Sequence, residues 1–132
     1  MAEKIDIRSS HLGRVRGLGS AKTGTEHWWF ERVTAVALIP LTLWFVLSVL
    51  SLLGAEQPVV AAWIARPWNT VLLLALIYMT FQHAQMGLQV VYEDYIRGST
   101  QRTAAVLLTK GAALLLGLLA ALAVLKLAFA AH

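Results

Sequence analysis

Twice this chain runs uncharged for longer than a bilayer needs. Between Arg32 and Glu56 lie 23 uncharged positions, and between Arg66 and Glu93 lie 26. From Thr103 to Ala131 only Lys110 and Lys126 interrupt a third apolar run. A helix needs about 20 apolar residues to cross the hydrocarbon core. Three spans therefore fit, at about 30–54, 68–92 and 103–130, and they leave no room for a soluble domain. At 58% hydrophobic and 14% charged residues, the composition is also too apolar for an ordinary soluble fold. The expected class is an all-α membrane protein with three transmembrane helices.

The flanks of those runs predict orientation. Lys4, Arg8, Arg14, Arg16, Lys22 and Arg32 precede or open the first span, whereas the first loop, roughly 55–68, holds only Arg66. Arg97 and Arg102 lie in the second loop, and Lys126 alone marks the far end. The excess of basic residues on cytoplasmic loops then puts the N-terminus and the second loop in the cytoplasm or its equivalent. Topology also accounts for the net charge of +4, so it is not a nucleic-acid signal. The first 26 residues are polar and hold no apolar signal-peptide core, so a cleavable leader is not expected. Zero cysteines exclude a disulfide framework, thiolate metal sites and cysteine catalysis.

Along the chain, residues 1–26 read as a polar cytoplasmic arm, and 27–132 as the three-span membrane domain. Gly13, Gly17, Gly19 and Gly24 argue against one regular element in the arm. His27, Trp28, Trp29 and Phe30 form an aromatic cluster suited to the membrane interface. Pro40 falls inside span one as a candidate kink. Val59–Ala65 is apolar but too short to cross, which suits an interfacial helix, and Pro67 suits the first position of span two. Ser99, Thr100 and Thr103 offer caps for span three. In that span Ala113, Gly117 and Ala121 set a small residue every fourth position. Such a stripe admits a close helix, and general Ala and Gly richness produces it equally well.

The polar residues of span two are the informative ones. At about 100° per residue, His83 and Asp94 differ by about 20° after whole turns, so they share a face with Gly87 and Val90 between them. Eleven residues rise about 16 Å. With Asp94 at the interface, His83 falls near the middle of a core about 30 Å thick. An ionisable residue at that depth is a functional candidate. A neutral imidazole ligates iron, and haem is a common guest of apolar helix bundles. A hydrogen bond from His83 to a neighbouring helix is the equally available plain reading. His11 and His27 belong to the arm or its junction and His132 is terminal, while Met79 and Met86 share the helix with His83. A six-coordinate iron would therefore take its second protein ligand from another chain. Asp94 and Tyr95 could relay a proton and hydrogen-bond a quinone carbonyl. From composition alone, a helix-ending Asp beside an interfacial Tyr is the simpler reading.

His83, the ten residues Ala84–Glu93, and Asp94-Tyr95 resemble the H-x10-D-Y pattern of the small hydrophobic anchor subunit of succinate dehydrogenase, the respiratory Complex II. Arg32 followed by Val33-Thr34-Ala35 resembles the same family, over roughly residues 25–100. The resemblance implies half of a heterodimeric six-helix anchor in a bacterial inner membrane. A second three-span anchor would share a b-type haem with it, and flavoprotein and iron–sulfur subunits would dock on the cytoplasmic side. Carried over, His83 is one axial haem ligand, Tyr95 hydrogen-bonds ubiquinone, Asp94 supports that site and its protons, and Arg32 lies near the haem propionates. Succinate oxidation itself would belong to another chain. The His27–Phe30 cluster departs from the pattern, and some members lack haem. The alternatives are a purely structural anchor or assembly subunit without haem, and a small proton conductor using His83 and Asp94.

Overall fold

A computed structural model describes residues 22–130. Among these residues the chain forms four helices and no strand: α1 (Lys22–Ser51), α2 (Gln57–Ile64), α3 (Pro67–Tyr95) and α4 (Ser99–Ala130). Three of them, α1 from Thr25, α3 and α4, are long and apolar enough to cross a bilayer. Without water to bind backbone groups, such segments must close their hydrogen bonds within themselves, which the helix does. Most of the segment read as a polar arm lies outside the described residues. Its last residues, from Lys22, belong to α1.

Local chemistry sets the ends of these helices. α1 runs on through Pro40, whose ring nitrogen cannot donate to the Val36 carbonyl. Beyond Ser51 the chain turns, with Ala55 N donating to Leu52 O at 3.0 Å. Gly54 takes φ +77° there, a left-handed conformation that a side chain would strain. The short apolar segment forms α2, as its length suggested. Its last carbonyls are satisfied from beyond the helix: Thr70 Oγ1 donates to Ile64 O (2.6 Å) and Asn69 Nδ2 to Trp63 O (2.7 Å). Pro67 takes the first turn of α3, where a missing N–H costs nothing. α4 starts earlier than the hydroxyl caps suggested, since Arg102 N already donates to Gly98 O at 2.9 Å. Ser99, Thr100 and Thr103 therefore lie within the helix.

Two compact units divide the chain between Phe30 and Glu31. In the first, the Trp28 and Trp29 rings lie 6.2 Å apart with their planes tilted by 31°. In the second, α3 and α4 are joined by residues 96–98 alone and pack against each other. Phe81 of α3 sits over Gly117 of α4, where an added Cβ would come within 3.4 Å of the ring. One member of the small-residue stripe thus receives a side chain of this same chain. The Trp44 indole of α1 stacks on Trp63 of α2, at 5.7 Å and 22°.

Little of this unit is buried. Among the described residues the buried side chains are Leu73, Met86, Ala128 and Thr34. Val36, Ile39, Leu108 and Phe129 are among many large apolar groups turned outward. In water such a surface would be untenable, and against acyl chains or partner helices it is expected.

Candidate functional site

His83 sits in the middle of α3, half-buried, and points to α1. Its Nδ1 lies 3.2 Å from Thr34 Oγ1. Thr34 is fully buried at 0% exposure, and its hydroxyl also donates to the Glu31 carbonyl one turn back in α1, at 2.9 Å. One short bridge thus joins the first span to the second at the depth of the histidine. No described residue hydrogen-bonds His83 Nε2.

One turn along, Gly87 opens the face beside this imidazole. A Cβ built there would meet nothing within 4 Å. Gly117 contrasts with it, since Phe81 already covers that position. The glutamines of α3 differ in what they contact. Gln82 and Gln85 line a groove of about 500 Å³ between α3 and α4, shared with Tyr78, Phe81 and Lys110. Gln89 instead donates to Glu93 Oε1 at 2.9 Å along its own helix.

Asp94 and Tyr95 close α3, with Tyr95 83% exposed and Asp94 also on the surface. Helix rise sets His83 and Asp94 about 16 Å apart along the axis. Just inside them, Tyr92 Oη lies 3.0 Å from Thr109 Oγ1 and ties the end of α3 to α4. Arg32 is exposed on α1, two residues and about 200° of helix rotation from Thr34. Its backbone position thus faces away from the bridge to His83, and only the length of its side chain can bring its charge back. His27 carries a buried Nε2 without a hydrogen-bond partner among the described residues.

No group of three His, Asp or Glu side chains among the described residues could hold a bare metal ion. What the chain offers instead is a single imidazole nitrogen without a hydrogen-bond partner among the described residues, with open space at Gly87 one turn along. That donor set fits an axial ligand to a planar metal group whose remaining bonds come from elsewhere. The residue that sequence reasoning passed over is Thr34, which figured there only as part of a resemblance. Span one holds four hydroxyls, Thr34, Thr42, Ser48 and Ser51, and no charge marks which of them faces inward. Ser48 and Ser51 bond back to their own helix, and Thr42 is exposed.

Comparison with known proteins adds the family context. A family model described as succinate dehydrogenase/fumarate reductase transmembrane subunit matches residues 7–130. The succinate dehydrogenase hydrophobic membrane anchor subunit of Rickettsia bellii is 31% identical over 105 residues, covering 80% of this chain and 83% of that protein. The subunit of the same description from Paracoccus denitrificans is 33% identical over 90 residues, covering 68% and 70%. The succinate dehydrogenase membrane anchor subunit of Reclinomonas americana is 27% identical over 92 residues, covering 67% and 77%. No solved structure matches the chain significantly.

Proposed function

The chain belongs to the family of succinate dehydrogenase and fumarate reductase transmembrane subunits, and from that premise we propose that it is a multi-pass anchor helping to bind haem b and ubiquinone. In this reading a second three-span anchor completes the haem site, and an iron–sulfur subunit and a flavoprotein dock at the cytoplasmic face. The N-terminus and the α3–α4 loop lie on that face. Electrons leave the iron–sulfur subunit for quinone near Tyr95 and Asp94, and succinate is oxidised on another chain.

The observation that carries the proposal is His83. It is a histidine in mid-span with Nδ1 held by a protein hydroxyl, Nε2 without a hydrogen-bond partner among the described residues, and open space at Gly87. A helix–helix contact uses the first of these features, and a metal ligand uses all three. The haem, when bound, supplies one-electron chemistry. This chain's part would be to supply His83 as a ligand to it, exclude water with the apolar faces of α1 and α3, and present Tyr95 and Asp94 at the membrane's edge. There the Tyr95 hydroxyl donates to a quinone oxygen, and Asp94 beside it passes protons inward from solvent. Arg32 offers its charge to the haem propionates.

The reduced-minus-oxidised spectrum of the purified complex tests the assignment. A b-type spectrum that disappears in His83→Ala, with flavin content unchanged, is the expected result. A spectrum that survives that substitution rejects the ligand assignment and leaves a structural anchor.

A further inference from the structure

We propose that Thr34 is a positioning residue that sets the tautomer of His83, so that the Nε2 lone pair is the one offered to iron. The proposal rests on the reading of His83 as an axial ligand and adds to it a residue with no role so far.

The argument is a count of protons. Thr34 Oγ1 lies 2.9 Å from the Glu31 carbonyl oxygen and 3.2 Å from His83 Nδ1. A hydroxyl has one proton. The carbonyl can only accept, and two oxygens so close with no proton between them would repel. The Thr34 proton therefore goes to Glu31 O, and the oxygen's lone pairs are left facing Nδ1. Nδ1 must then be the protonated nitrogen and the donor. In a neutral imidazole that leaves Nε2 unprotonated, which is the form a metal requires.

Burial makes the arrangement hard to replace. Thr34 is fully buried, so no water can reach in to take over from its hydroxyl. The backbone fixes the oxygen as well, because the bond to Glu31 O holds the Thr34 side chain in one orientation. An acceptor on the far nitrogen of a ligating histidine fixes the ring and raises the basicity of the metal-bound nitrogen. A more basic ligand favours the oxidised iron. Thr34 should thus hold the haem tighter and keep its potential lower than an apolar residue would.

The test uses the complete membrane complex. Thr34→Val keeps the shape and removes the acceptor, and Thr34→Ser keeps the acceptor. Expected for Thr34→Val are haem retention weakened about 10- to 100-fold and an upward shift of the midpoint potential, with flavin content unchanged. Thr34→Ser should stay near wild type in both. Should Thr34→Val fail to assemble, Thr34→Cys, a weak acceptor of similar bulk, is read in the same way. An unchanged or lower potential in the acceptor-poor variant overturns the proposal, as does an equal shift in Thr34→Ser. These outcomes are distinct from failure of the ligand reading, in which His83→Ala itself keeps its spectrum.

Discussion

Tyr92 Oη meets Thr109 Oγ1 at 3.0 Å, three residues before the exposed Tyr95. Two tyrosines of one helix end thus have opposite surroundings, one turned inward on α4 and the other outward. Tyr92→Phe removes a helix–helix hydrogen bond, worth about 0.6 kcal/mol on average in membrane proteins. The expected outcome is a small loss of resistance to detergent or heat. Quinone reduction in the assembled complex should stay near wild type, and a large loss there would give Tyr92 the role assigned to its neighbour.

Tyr95→Phe should do the reverse. The Tyr95 hydroxyl, on an 83% exposed residue, is available to a ligand at the membrane's edge. Donation to a quinone oxygen that gains charge on reduction is a charge-assisted bond, worth roughly 1.5–3 kcal/mol. Its removal should slow succinate:quinone activity about tenfold or more. Dye-linked succinate oxidation, which bypasses the membrane site, should not change. Parallel loss of both activities would mean faulty assembly and would speak against a quinone contact.

The number of long apolar helices could be read from the chain because charge is absent over whole stretches, and hydrocarbon enforces that absence strictly. The short helix α2 and the helix start at Pro67 were legible too, one from length and the other from a ring that costs a first turn nothing. Facing was harder to read. α1 is apolar nearly all round, so its sequence holds no stripe to mark the side that meets α3. The inward face is marked by one buried hydroxyl, Thr34, whose partner lies 49 positions away. His83 and the Asp94-Tyr95 pair stood out because each carries a polar group where apolar residues dominate.

Gly87 gives a prediction about space. Nothing within 4 Å awaits a Cβ there, so Gly87→Ala should fold at least as well as wild type and gain up to about 1 kcal/mol of helix propensity. Gly87→Leu would extend a side chain into the opening beside His83. If that opening receives the haem, the leucine variant should lose the b-type spectrum while flavin and iron–sulfur content persist. A full spectrum in Gly87→Leu would place the haem on another face of the histidine.

Gly117 provides the opposite case, because there a ring already stands at contact distance from a Cβ. Phe81 packs against α4 there, with the ring 3.4 Å from where a Cβ would stand. An alanine Cβ at that distance makes ordinary van der Waals contact with the ring. Gly117→Leu would extend further into the ring, and overpacking of this kind costs about 1–3 kcal/mol. The damage should be structural, namely a lower melting temperature of the complex and less anchor in the membrane, with normal turnover per assembled complex. Adding Phe81→Ala should restore part of that stability, since it removes the atoms in the way. If the double variant is no better than Gly117→Leu alone, the close approach seen between α3 and α4 is not what the leucine disrupts. The clash would then lie with a helix from another subunit, reached by the same small-residue stripe.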